Sequence, residues 1–215
     1  QSPVFAMKNL KKALKPGGRL LMVVWRRIED NEWVGVPKEI VLRHLPVPDA
    51  DQIVLITSPG PRPGWNSVSG AGPKDAIFSY PLFRDLEHIT GAGLSGIAAH
   101  RDFSVNLSYR GQTQSGLGEL VSGAYFPLLG TPPTLGRLFT PDDDRAPGAH
   151  PIVVLGHRYW STRFGSNPGV IGEPLVVNGH SLTIVGVAAE RFTGITLMES
   201  PQLYVPLMMA DAMRP

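Results

Sequence analysis

Three groups of residues in this sequence invite a chemical reading: the carboxylates Asp142, Asp143 and Asp144, the histidines His150, His157 and His180, and the serines Ser95 and Ser122. The carboxylates offer the oxygen ligands that Mg²⁺ and Ca²⁺ prefer. Consecutive residues on a helix point in three directions, however, and no EF-hand spacing surrounds them. Capping of a helix that begins at Thr140-Pro141 is the better account, with acids at the positive end of the dipole. His150 and His157 flank a predicted strand and could meet a metal together with His180. Metal-binding histidine pairs sit at i, i+2 on a strand or at i, i+3/i+4 on a helix, and these three do neither, so they read as surface or capping residues. Ser122 in Val-Ser-Gly-Ala and Ser95 in Leu-Ser-Gly-Ile only approximate a Gly-x-Ser-x-Gly nucleophile turn. The stretch Ser69-Gly-Ala-Gly-Pro-Lys74 lacks the preceding strand and following Gly-Lys-Ser/Thr of a phosphate-binding loop. Trp25, Trp33, Trp160 and Phe164 suit core packing. The sequence therefore assigns no catalytic, cofactor-binding or metal-ligating residue, and no cofactor.

The elements that would position these residues can be read from pattern. Ser2-Pro3 opens a helix with Phe5, Met7, Leu10 and Leu14 on one face, and Pro16-Gly17-Gly18 ends it. Arg19–Trp25 is a continuous apolar strand of the kind found inside parallel sheets. Pro37 opens a short helix to about Leu45, Gln52–Thr57 is a strand, and the Pro- and Gly-rich Ser58–Lys74 is a long loop. Tyr80-Pro81 starts a helix to about Ile89; Leu94–Arg110 reads as two strands and Gln114–Ser122 as another. Tyr125–Gly130 is a turn-helix, Ile152–Leu155 a buried strand, His157–Phe164 a helix closed by Gly165, and Leu203–Met208 a last strand. Asn178-Gly179, set between alternating apolar residues, marks a hairpin over Leu175–Val187.

The 215 residues carry 42% hydrophobic and 18% charged side chains, enough for a folded core. With 24 Gly and 21 Pro they favour turns and short strands over a helical bundle. The absence of cysteine excludes disulfides, thiolate metal sites and cysteine nucleophiles. No apolar run approaches the roughly 20 residues of a membrane helix, and no signal peptide is seen, so the chain as given reads as soluble. Charge is uneven: residues 1–45 hold nine Lys/Arg and four acids, a net of +5, leaving −3 for the remainder. The lysines Lys8, Lys11, Lys12 and Lys15 recur at helical spacing without interleaved aromatics, which fits a solvated helix face and no nucleic-acid partner.

From Leu45 onward a series of short motifs occurs in a fixed order: Phe78-Ser-Tyr-Pro-Leu-Phe-Arg-Asp-Leu86, Glu119-Leu-Val-Ser-Gly-Ala-Tyr-Phe126, Leu135-Gly-Arg-Leu-Phe-Thr-Pro-Asp-Asp-Asp144, His150-Pro-Ile-Val-Val-Leu155, Tyr159-Trp160 with Arg163-Phe-Gly165, Val177-Asn-Gly179 and Ile184-Val-Gly-Val187. Together these resemble the MacB-like periplasmic core domain of ABC-transporter permeases, of the acidobacterial duplicated orphan permease group. The resemblance implies a mixed α+β domain of short strands and hairpins with a few helices. It implies a periplasmic place between two membrane helices of a permease and no catalytic residues. The implied partners are the permease's membrane helices and ATPase in a full-length parent, and periplasmic proteins. Because the chain stops at Pro215, before the family domain's C-terminal part, the domain is expected to be incomplete. Its open strand edges are expected to favour a homo-oligomer or domain swap.

Residues 1–45 carry different motifs: Asn9-Leu-Lys-Lys-Ala-Leu-Lys-Pro-Gly-Gly-Arg-Leu-Leu21, Trp25 and Asn31-Glu-Trp-Val-Gly-Val-Pro37. They are similar to a C-terminal helix-turn-strand piece of class I S-adenosylmethionine-dependent methyltransferases, without the Gly-rich cofactor loop. The expected organisation is thus chimeric, with a methyltransferase-like fragment over 1–45 and a truncated periplasmic core domain over 46–215. The leading function is a non-catalytic extracytoplasmic module of an ABC-type export permease. The alternative is an enzyme, either a remnant methyltransferase or a hydrolase with a hidden Ser122 or His150 site.

Overall fold

A computed structural model of the chain describes residues 18–24, 45–56, 78–88, 94–195 and 200–214. The helices expected after Ser2-Pro3 and Pro37, the long loop Ser58–Lys74, and Trp25 and Trp33 lie outside these residues.

Nine strands form one mixed sheet: β1 Gly18–Val24, β2 Ile53–Leu55, β3 Leu94–Tyr109, β4 Gln112–Val121, β5 Pro133–Gly136, β6 Ile152–Leu155, β7 Pro174–Val177, β8 His180–Ala188 and β9 Leu203–Pro206. The apolar strand read at Arg19–Trp25 is β1, and it pairs in parallel on both sides, with β2 and with β3. The two strands read within Leu94–Arg110 are a single strand of 16 residues. Its ladder with β4 runs without a break from His100↔Val121 to Tyr109↔Gln112. Nothing within Phe103–Tyr109 interrupts the alternation, and the chain reverses only at Arg110-Gly111, both with positive φ (48° and 78°). That matches the two-residue turn that follows the twist of a hairpin.

From β3 the pairings pass through β4, β9, β6, β8 and β7 and return to β3, where Leu107 faces Val177. Six strands thus close a ring. Strand alternation sorts its side chains: Val105, Leu107, Leu120, Val153, Leu155, Leu175, Val177, Leu182, Ile184, Leu203 and Val205 form one buried cluster. Tyr159 and Trp160 of helix α3 (His157–Phe164) join that cluster. On the opposite face Ala98, Val121, Val154 and Tyr204 form a second cluster with Tyr125, Phe126, Leu128 and Leu129 of helix α2 (Tyr125–Leu129) and with Phe139 and Phe192. Helix α1 (Tyr80–Glu87), capped by Ser79, buries Phe83 and Leu86 against Ile97 and Ala99 of β3. Gly130 and Gly165, both in the left-handed region, end α2 and α3 as the sequence suggested.

The Asn178-Gly179 hairpin forms as read, both residues at positive φ. Its asparagine does more than turn the chain. Asn178 Oδ1 accepts from Asn106 N–H (2.7 Å), and its amide nitrogen donates to the Ser104 and Met213 carbonyls (3.2 and 2.8 Å), tying the hairpin to β3 and to the C-terminal segment. Strand β5, which the sequence reading left out, pairs antiparallel with β8 at one end of the sheet. Among the described residues no helix is long and apolar enough to cross a membrane.

Candidate functional site

The carboxylates Asp142–Asp144 do point in three directions. They occupy a single 3-10 turn, Pro141–Asp144, closed by a capping box between Thr140 and Asp143. Asp142 is exposed and pairs with Arg145. Asp143 accepts a bidentate pair from Arg137 (2.7 and 2.9 Å). Burial pushes its carboxyl up, but Arg137 and the Thr140 N–H and hydroxyl outweigh that and hold it below the ordinary value. Asp144 is buried, with Oδ1 accepting from Met208 N–H (2.7 Å) and Oδ2 from Gly123 N–H (3.2 Å). Burial raises its pKa to about 6 in spite of those two donors. These three residues are an anchor between the turn, the start of α2 and the C-terminal segment.

His150, His157 and His180 do not gather into a ligand group: His157 stacks edge-on against Trp160 at the start of α3, and His180 is exposed on β8. Ser122 is buried, its Oγ accepting from Ala99 N–H (3.0 Å) while its own N–H donates to the Ala99 carbonyl, so it pins β4 to β3. Ser95 is exposed near the start of β3.

A different group of residues holds the chemistry. His100 and Asp102 are two residues apart on β3, hence on one face, and Glu119 of β4 is the register partner of Asp102. One ligating atom from each lies within 4.8 Å of the others, the single such group of three among the described residues. His100 and Glu119 are fully buried and Asp102 half-buried. His100 Nδ1 lies in close contact with Glu119 Oε1, and His100 Nε2 lacks a hydrogen bond to any described residue. Glu119 Oε2 accepts from the Tyr125 hydroxyl at 3.4 Å, and Tyr204, across from Glu119 in the ladder, has a buried hydroxyl with no partner among the described residues. Burial first, and then the Glu119 charge, push both phenols well above their ordinary range, so they stay protonated donors. The polar row sits inside the apolar cluster under α2, where uncompensated groups are costly. Motif reading passed over this group, although His100-x-Asp102 has the i, i+2 spacing of strand ligands. What a single sequence hides is the register that brings Glu119 beside them.

A cavity of about 300 Å³ lies between α1 and the C-terminal segment, lined by Tyr80, Phe83, His100, Arg101, Leu207 and Met208 among others. Tyr80 donates to Met208 Sδ across it at 3.4 Å.

A ring of strands packed against helices α1, α2 and α3 defines an α+β domain. A family model described as the MacB-like periplasmic core domain matches residues 41–214, and the chain belongs to that family. The fold is similar to the periplasmic region of MacB from Actinobacillus actinomycetemcomitans (18% identity, TM-score 0.50, covering 63% of this chain and 59% of that one). It is also similar to the extracellular domain of the noncanonic ABC-type transporter YknZ from Gram-positive bacteria (18% identity, TM-score 0.51, covering 63% and 65%). The chain thus spans less than two thirds of the length of either. No curated protein matches it.

Proposed function

We propose that this chain acts as a non-catalytic extracytoplasmic module of an ABC-type export permease, coupling an ATPase cycle across the membrane to a substrate or periplasmic partner. The observation that carries the reading is the family match over residues 41–214, and the shared fold supports it. Asp143, Asp144 and Ser122 tie elements of the domain together, which supports a non-catalytic reading, and Ser122 is held by backbone where a hydrolase would need it exposed. The proposed partners are the membrane helices and ATPase of a full-length parent, together with periplasmic proteins.

Membership of the acidobacterial duplicated orphan permease group rests on the motifs from Phe78 to Val187. The methyltransferase-like origin of residues 1–45, and with it the chimeric organisation, rests on Asn9–Leu21 and Asn31–Pro37. Self-association through open strand edges follows the same logic. The end strands β2 and β5 are three and four residues long, which keeps such pairing weak.

The test is a transplant. The full 215-residue chain, β1 included, replaces the corresponding domain of a MacB-type permease, and export is compared with a domain-deleted permease. Export above the deletion supports the reading; a chimera that is inserted and folded but exports no better overturns it. A thermal-shift titration with S-adenosylmethionine addresses the enzyme alternative, since a saturable rise would defeat the non-catalytic reading.

A further inference from the structure

We propose that His100, Asp102 and Glu119 form a binding site for one divalent first-row transition-metal ion, held between β3 and β4 beneath α2. Three independent features converge on it. The first is placement: strand alternation puts His100 and Asp102 on one face, ladder register adds Glu119, and one ligating atom from each lies within 4.8 Å of the others. The second is orphaned polarity. The buried His100 Nε2 and Tyr204 hydroxyl have no hydrogen-bond partner among the described residues, while His100 Nδ1 and Glu119 Oε1 face each other. Native proteins rarely leave such groups unpaired, and two of them beside a buried His–Glu contact on one patch of sheet call for a further partner. The third is support around the ligands. Tyr125 donates to Glu119 Oε2, leaving Oε1 directed at His100, which is the outer hydrogen bonding that fixes a metal carboxylate.

The donor set chooses the ion. Two carboxylates balance a charge of +2, which a buried site demands. An imidazole nitrogen favours Zn²⁺, Mn²⁺, Fe²⁺ or Co²⁺ over Mg²⁺ and Ca²⁺, which take all-oxygen shells. Backbone crowding limits the space on one side: a Cβ on Gly194 would stand 3.3 Å from Glu119 Oε2. The half-buried Asp102 leaves the remaining approach on its own side. The ion would brace the β3–β4 pair where the sheet meets α2, a structural role.

The test uses the full 215-residue chain, stripped with a chelator and titrated with Co²⁺ and Zn²⁺. Binding of one equivalent is expected, with Co²⁺ visible absorption bands that Zn²⁺ abolishes. A hundredfold excess over Kd should raise the melting temperature by about 5–10 °C. Excess Mg²⁺ or Ca²⁺ should not compete. Asp102→Asn, at the half-buried ligand, should fold and bind at least tenfold more weakly. Glu119→Gln should lose the Co²⁺ spectrum, and if it fails to fold, Asp102→Asn alone decides. Absence of one-equivalent binding by the wild-type chain overturns the proposal and leaves a metal-free His100–Glu119 pair. Unchanged Co²⁺ affinity and spectrum in Asp102→Asn overturn it equally.

Discussion

Asp144 makes the stability of this domain fall as pH rises through the weakly acidic range. Its carboxyl is buried and titrates at about 6 in the folded chain, against an ordinary 3.8. Between those values the folded state binds more protons than the unfolded one, so stability declines with increasing pH and levels off above 6. At 1.36 kcal/mol per tenfold change, the ionised group costs about 3 kcal/mol at neutral pH. Roughly 1.3 kcal/mol of that is recovered on going from pH 7 to pH 5, which for a chain of this length is about 3–5 °C in melting temperature. Asp144→Asn removes the titration. It keeps one acceptor for Met208 N–H and turns an amide donor toward Gly123 N–H, losing a bond worth about 1–3 kcal/mol while shedding the buried charge. The variant is expected to match the wild type within about 2 kcal/mol at pH 7 and to fall behind at pH 5. Asp143 titrates below this window, and Glu87, raised chiefly by burial, is common to both proteins and cancels in the difference. The assay is differential scanning calorimetry of both chains from pH 5 to 7. A wild-type minus variant difference that stays flat, or runs the other way, refutes the reasoning.

Asn178→Ala loses three hydrogen bonds and puts a Cβ-bearing residue without local support at φ 48°, so urea unfolding should show a loss of about 2–4 kcal/mol, with Asn178→Asp in between. Gly186→Ala would place a Cβ 1.9 Å from the Arg137 carbonyl oxygen, backbone that cannot swing away, and should cost about 3 kcal/mol or more; Gly165→Ala, with nothing within 4 Å, should cost about 1 kcal/mol from its φ alone. Deleting residues 1–45 removes β1 and uncovers the β3 edge from Leu94 to Arg101, so the shortened chain should melt lower and aggregate; an unchanged melting curve would mean the sheet is complete without it.

Much of the local structure was legible because its causes are local. Thr140-Pro141-Asp-Asp signals a helix start, Asn178-Gly179 a turn with positive φ, and Gly165 a helix end, and the backbone geometry of each is set within a few residues of itself. The continuous strand β3 was misread as two because alternation alone does not say where a long strand stops. The two-residue reversal at Arg110-Gly111 decided that. Strand β5 was missed because its four residues, three of them exposed, carry no apolar period and exist only by pairing with β8.

The sequence by itself determined the class of protein: a cysteine-free α+β domain whose ordered motifs mark its family, with turns and caps dictated by Gly, Pro, Asn and Asp. Only the tertiary structure decided the closed ring of six strands and the polar group between its β3–β4 pair and α2. His100 and Glu119 lie 19 positions apart, and nothing near either one reports the other. They meet because the β3–β4 ladder has one register, set by burial on two faces and by a turn at Arg110-Gly111. A shift of one residue would send Glu119 to the opposite face of the sheet and dissolve the site.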